Sequence, residues 1–203
     1  MNSLQETCIE TIRCVGSRLE NLDFHNRRMH ATRQMLFGAE DFLDLRELIQ
    51  IPVLLTSHVY KCRVSYRSEI EAIEWEPYTK RQIRSLKVIK DDSINYPFKR
   101  KQRNDLDKIY SQRENYDDVL IVRHGYLTDT YVCNLALSDG DTWLTPAEPL
   151  LKGTQREYLL QKGVIQTAHL HIKDLHKFTD IRLFNAMMPW DDAITIPVSQ
   201  IYL

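Results

Sequence analysis

Residues 8–15, apolar at 8, 9, 12, 14 and 15, read as a strand, and Gly16-Ser17 supplies a tight turn into a second strand over residues 19–24. From His25 the pattern changes to helix. Met29, Thr32, Met35 and Leu36 recur at helical spacing, and Gly38 stands where a glycine closes a helix. A second helix is expected over residues 39–48, ended by the Ile51-Pro52 step. Strands follow at 59–66 and 70–76 around an Arg67-Ser68 turn. Tyr60, Cys62, Val64 and Tyr66 share the buried face, and Lys61 and Arg63 the opposite one. Residues 84–89 form a further strand, and the turn-rich cluster Asp91, Asp92, Ser93, Asn95 and Pro97 sets a domain boundary.

Beyond it the pattern predicts a helix over 99–113, a buried strand over 119–122, a His124-Gly125 turn and a returning strand over 126–137. A brief strand at 142–144, a helix over 154–162 between Gly153 and Gly163, and strands at 181–187 and 194–201 complete the chain. The fold class is α/β (α+β): a small α+β domain over 1–92, a linker over 93–98 and a larger β-rich domain with helices over 99–203. No internal repeat is visible.

With 203 residues, 43% apolar and 27% charged, and only 6 Gly and 7 Pro, the composition is that of a packed globule. Lys and Arg total 27 against 28 Asp and Glu, so the global basic excess used by nucleic-acid binders is missing and a small-molecule substrate is expected instead. Apolar runs such as residues 51–55 fall far short of the ~20 that span a bilayer. No basic leader precedes an apolar segment, so a cytoplasmic protein without a membrane partner is expected. Cys8, Cys14, Cys62 and Cys133 lack metal-type spacing and sit among apolar neighbours, as buried reduced thiols do. No metal site is expected.

Walker-type phosphate loops, GxGxxG, GxSxG and HExxH are absent. Four pieces remain, in this order: His25-Asn26-Arg27-Arg28-Met29; Lys99; Gly125-Tyr126-Leu127-Thr128-Asp129 with Asn134 five residues after the Asp; and Leu150-Leu151-Lys152-Gly153-Thr154-Gln155-Arg156. Together they resemble the class IV (fold type IV) pyridoxal-phosphate enzymes, which include branched-chain and D-amino-acid aminotransferases and 4-amino-4-deoxychorismate lyase. Each piece alone is weak; Lys99, for instance, sits with Arg100, Lys101 and Arg103 in what in isolation reads as a solvated basic face.

The resemblance implies a two-domain architecture like that of D-amino-acid aminotransferase, with pyridoxal 5'-phosphate as cofactor and a homodimer as the assembly. Lys99, just after an extended linker, matches the lysine that holds the cofactor aldehyde as a Schiff base and then shuttles a proton. Asp129 takes the place of the acid that keeps the pyridine nitrogen protonated, where relatives usually carry Glu. Arg28 matches the phosphate-gripping arginine, suited to it by its fork of parallel donors. At the helix start, relatives commonly read Gly-x-Thr-Arg where this chain reads Gly153-Thr154-Gln155-Arg156. The backbone there, with the Thr154 hydroxyl or Gln155 amide, is expected to take the phosphate, and Thr130 to add a hydroxyl.

The strand Ile9-Glu10-Thr11-Ile12-Arg13 looks like the Phe-Glu-Thr-Leu-Arg segment frequent in the lyase branch, which makes Thr11 a candidate for proton transfer beside Lys99. Lys61 and Arg63 are candidates for binding the two carboxylates of a lyase substrate. Three readings stay open: the lyase, a class IV amino-acid transaminase, and a non-catalytic binding relic. The last is prompted by a shortened N-terminus, since relatives usually carry a strand pair and a Gly-rich segment before the Glu-Thr-x-Arg strand.

Overall fold

The computed structural model describes residues 6–53 and 58–203, so the apolar run at 51–55 lies partly outside the described residues. The chain divides into two compact units: Met1–Lys80 with Phe98–Gln102, and Arg81–Pro97 with Arg103–Leu203. The expected boundary at residue 92 is therefore displaced. The strand at 86–90 belongs to the second unit because its hydrogen-bond partners are there, and residues 98–102 return to the first.

The first unit is built on a four-stranded antiparallel sheet, β1 (Cys8–Val15), β2 (Arg18–Leu19), β3 (Tyr60–Tyr66) and β4 (Ile70–Pro77), in the order β2-β1-β3-β4. Positive φ at Gly16 and Ser17, 53° and 58°, gives the two-residue turn whose twist matches the strands it joins. Strand alternation puts Cys8, Ile12, Cys14, Cys62, Val64 and Tyr66 on one buried face, packed with Met29 of helix α1 (Leu22–Phe37) and Leu45 of the short helix α2 (Leu45–Leu48).

Two expectations in this unit are corrected. The strand expected over 19–24 stops at Leu19. Asn21 turns left-handed at φ 56° and its carbonyl takes the Phe24 and His25 N–H groups, which starts α1 three residues before His25. The helix expected over 39–48 shrinks to α2. After Gly38 closes α1 in the left-handed region, the bond that would have continued a helix is diverted at both ends. The Asp41 carbonyl accepts from buried Arg33 Nη1 at 2.9 Å, and the Leu45 N–H donates to Asn26 Oδ1 at 2.9 Å.

The second unit holds two sheets. One has the order β13-β5-β6-β7, from β5 (Leu86–Lys90), β6 (Asp118–Arg123), β7 (Tyr126–Thr130) and β13 (Ile201–Tyr202). The other has the order β10-β9-β8-β11-β12, from β8 (Asn134–Ser138), β9 (Trp143–Pro146), β10 (Gln166–Ala168), β11 (Asp180–Phe184) and β12 (Ile194–Pro197). Val119–Val122 of β6 is a continuous buried run, as a strand covered on both faces requires. Helices α3 (Asn104–Ser111) and α4 (Thr154–Gln161) complete it.

Three more corrections follow from local chemistry. The strand expected over 126–137 breaks into β7 and β8, which lie in different sheets. The Thr130 N–H bonds the Cys133 carbonyl at 2.9 Å and turns the chain between them. The strand expected over 194–201 ends at Pro197; a 3-10 turn follows, and β13 pairs with β5 instead. The helix expected from residue 99 begins at Asn104, because residues 99–101 are extended against β1. The four cysteines are buried and reduced, as expected. No helix among the described residues is long and apolar enough to cross a membrane.

Candidate active site

In the first unit the chain returns along the edge of β1. The Ile9 N–H donates to the Lys99 carbonyl and the Lys101 N–H to the Thr7 carbonyl, both at 2.8 Å, around the facing pair Cys8 and Arg100. Antiparallel register then sets Lys99 opposite Ile9, and alternation places Ile9, Thr11 and Lys99 on one face of the sheet. Arg63 of β3 stands opposite Thr11 and Lys61 opposite Arg13, so both expected cations share that face. They already have a counter-ion. Glu76 Oε2 lies 2.5 Å from Lys61 Nζ and Glu76 Oε1 3.8 Å from Arg63 Nη1. The Lys61 hydrogen bond, then the charges of Lys61 and Arg63, outweigh desolvation and lower the Glu76 pKa.

The opposite face of β1 should carry only apolar side chains, yet Glu10 sits there fully buried between Cys8 and Ile12. Helix α1 answers it with two residues one turn apart. Arg28 donates from Nε to Glu10 Oε1 at 2.9 Å and from Nη2 to Oε2 at 2.5 Å. His25 Nδ1 lies 2.5 Å from Oε2. Burial pushes the Glu10 carboxyl up, but the Arg28 charge and the bonds from His25 and Arg28 outweigh it and hold it at about 2. His25 is lowered, first by burial, with the positive charges of Arg28 and Lys99 adding to it against the pull of Glu10. A neutral His25 therefore donates its Nδ1 proton to an ionised Glu10.

The second unit gathers Asp129, Asn134 and the segment before α4. Asp129, at the end of β7, is 5% exposed. Its Oδ1 accepts from Asn134 Nδ2 at 2.8 Å and its Oδ2 from the Leu151 N–H at 2.9 Å. Burial raises its pKa to about 6 against the pull of these donors and of the Arg156 charge. Asn134 Nδ2 also reaches the Leu151 carbonyl at 2.9 Å, so one amide ties β8 to both partners. The next glycine makes room for it: a Cβ on Gly153 would meet Asn134 Oδ1 at 2.0 Å.

Gly153 caps α4 in extended geometry, and Thr154, Gln155 and Arg156 behind it are all buried. A helix start of this kind directs N–H groups without intrahelical acceptors toward an anion. Arg156 bonds the Pro146 carbonyl through Nη2 at 2.9 Å and Glu157 through Nη1 at 3.1 Å, while its Nε is buried with no hydrogen-bond partner among the described residues. The Thr130 hydroxyl lies in the turn between β7 and β8, where it accepts the Cys133 N–H at 3.1 Å.

Within the first unit the structure thus joins Lys99, Thr11, Lys61 and Arg63 through one sheet face and places Arg28 on the other side of β1. Within the second it joins Asp129 to the start of α4. Glu10, His25, Asn134 and Arg156 stand in this chemistry outside the expected set. His25, Asn134 and Arg156 lie inside the four sequence pieces that carry it, and Glu10 inside the Ile9–Arg13 strand. An acid on an apolar strand face, with His and Arg three apart on the following helix, is the signal that was available for Glu10.

Residues 7–196 match the family described as Amino-transferase class IV. An uncharacterized protein of Haemophilus influenzae is 32% identical over 180 residues, 88% of this chain and 96% of that one. Among solved structures, a chain from Haemophilus somnus 129PT described as a "putative 4-amino-4-deoxychorismate lyase" is 30% identical with a TM-score of 0.85, covering 91% of this chain and 98% of its own. A hypothetical aminotransferase of Mycobacterium tuberculosis, solved in a pyridoxal-phosphate-bound form, shares the fold at 17% identity and a TM-score of 0.74, over 94% of this chain and 80% of its own. On the extent of the family match and this shared fold type IV architecture, the chain belongs to the class IV aminotransferases and is a pyridoxal-phosphate-dependent enzyme.

Proposed function

We propose that this enzyme is a lyase that releases pyruvate from 4-amino-4-deoxychorismate and forms 4-aminobenzoate, a step of folate synthesis, acting as a cytoplasmic homodimer. The observation that carries the reading is the register at the edge of β1: Thr11 shares a sheet face with Lys99, and Arg63 stands directly opposite Thr11. The likeness to the Haemophilus somnus chain supports it.

The residues present fit the cofactor. Asp129 is a buried acid held by two donors, as a partner for a protonated pyridine nitrogen must be, and the missing side chain of Gly153 is what admits the amide that holds it. Arg28 and the start of α4, with Gly153, Thr154 and Gln155, are the phosphate ligands in this reading. When bound, the cofactor supplies an electron sink for charge developing on the substrate carbon that bears nitrogen.

Lys99 Nζ anchors the cofactor aldehyde between turnovers and, as the amine, takes the proton from that ring carbon, with the Thr11 hydroxyl assisting. The C–O bond to the enolpyruvyl group breaks as the ring becomes aromatic, and a proton delivered to the departing methylene completes pyruvate. Arg63 and Lys61 bind the substrate carboxylates, exchanging their hold on Glu76 for them.

The family description favours transamination as a second reading, with the same lysine passing an amino group to a 2-oxo acid. Supplying the cofactor-loaded protein with chorismate, glutamine and an aminodeoxychorismate synthase separates the two. Equal amounts of 4-aminobenzoate and pyruvate, both lost in Lys99→Ala, support the lyase. Glutamate formed from 2-oxoglutarate and an amino donor, with no 4-aminobenzoate, selects the transaminase. Failure to bind the cofactor leaves a binding relic and removes both.

A further inference from the structure

We propose that Glu10 is a positioning residue, which with His25 sets the orientation in which the Arg28 guanidinium meets the cofactor phosphate. This rests on the reading of Arg28 as a phosphate ligand given above. Sheet packing does not call for an acid at this position: its neighbours on the same face of β1, Cys8 and Ile12, belong to the apolar core. The carboxylate is instead consumed entirely by α1. Arg28 meets it with two parallel donors, Nε and Nη2, and two bonds fix the plane of a guanidinium where a single one leaves it free to rotate.

Exposure gives the arrangement a direction. The Glu10 and His25 side chains are 0% exposed, whereas Arg28 is 15% exposed, so the fork is anchored from within and is the member of the three that reaches solvent. His25 braces the same carboxylate oxygen as Arg28 Nη2. Being neutral, it adds a donor without adding a second cation, which leaves one carboxylate matched to one guanidinium. A simple ion pair would have the opposite effect on an anion, because the Glu10 charge by itself repels phosphate. The two accounts therefore differ in sign.

The test uses the full-length protein stripped of cofactor and titrated, by absorbance or fluorescence, with pyridoxal phosphate and separately with pyridoxal, which lacks the phosphate. The readout is the change in the ratio of the two affinities. Glu10→Gln is expected to weaken pyridoxal phosphate at least about fivefold, a coupling typical of residues in one network, and to leave pyridoxal unchanged. In an Arg28→Ala background the same substitution is expected to change nothing further. An unchanged ratio, a tightened pyridoxal phosphate, or an equal loss for both ligands overturns the proposal. Should Glu10→Gln fail to fold, Glu10→Asp withdraws the carboxylate by one methylene while keeping its charge, and an unchanged ratio there overturns it equally. If Arg28→Ala alone leaves the ratio intact, the phosphate role of Arg28 fails first and Glu10 falls with it.

Discussion

Replacing Gly153 with alanine isolates one contact at the centre of the second unit. The backbone at Gly153, φ −70° and ψ 144°, suits any residue, so no conformational strain enters. With open space around it the change would stabilise by about 0.4–1 kcal/mol, through a less flexible unfolded chain. The added methyl instead meets Asn134 Oδ1 at 2.0 Å, at least 1 Å inside the 3.0 Å that real contacts respect. Asn134 has to withdraw, and its Nδ2 bonds to Asp129 and to the Leu151 carbonyl go with it. Overpacking and the loss of buried hydrogen bonds give a net destabilisation of about 1–3 kcal/mol, read as a lower denaturant midpoint. Asn134→Ala removes the obstructing side chain, so in that background Gly153→Ala is expected to be neutral or slightly stabilising. The coupling between the two sites should exceed about 1 kcal/mol. A Gly153→Ala protein as stable as the parent, or one whose loss is the same with and without Asn134, would refute the reasoning.

Thr11→Val keeps the β-branched shape on β1 and removes only the hydroxyl. 4-Aminobenzoate formation is expected to fall by roughly 10²–10⁴ in kcat with the cofactor absorbance retained, and a normal rate would remove Thr11 from proton transfer. The Glu10 carboxyl, held at about 2, lies below its unfolded value, so it stabilises the fold above about pH 4.5 and loses that contribution as pH falls toward 2. The acid arm of a stability-against-pH curve should flatten in Glu10→Gln; an unchanged arm counts against the buried pair. Asp118 behaves with the opposite sign. Fully buried at the start of β6, with Oδ2 lacking a partner among the described residues, it is pushed up to about 6 by burial. Its ionisation lowers stability as pH rises from about 4 through 6, so Asp118→Asn should be about 1–3 kcal/mol more stable than the parent at pH 8. That advantage should fade toward pH 4, and denaturant curves at the two pH values check it.

Much of the first unit was legible because period-two alternation in residues 60–66 and the helical spacing from Met29 to Leu36 each select one element. Residues 39–44 were not, because what stops a helix there is a pair of long-range bonds, from Arg33 and from Asn26, that no local pattern contains. The break between β7 and β8 was hidden similarly: no Gly or Pro interrupts residues 126–137, and the turn at 130–133 is decided by which sheet each half joins. Arg28, Lys99, Asp129 and Gly153 stood out because the sequence pieces that hold them resemble those of the class IV enzymes in type and order. The roles of Glu10 and Asn134 are relational. A buried acid is uninterpretable until the residues that neutralise it are known, and the bond from Asn134 to Asp129 exists only because the intervening turn doubles the chain back.

Everything proposed for the chemistry depends on Lys99 being the residue that carries the cofactor. Borohydride reduction of the pyridoxal-phosphate-loaded protein, followed by proteolysis and mass spectrometry, reads this directly. The pyridoxyl phosphate label is expected on the peptide containing Lys99, in a fixed one-to-one ratio with protein, and on Lys99 itself on fragmentation. A label on Lys101 or another lysine, or scattered substoichiometrically over several, would contradict the site described above.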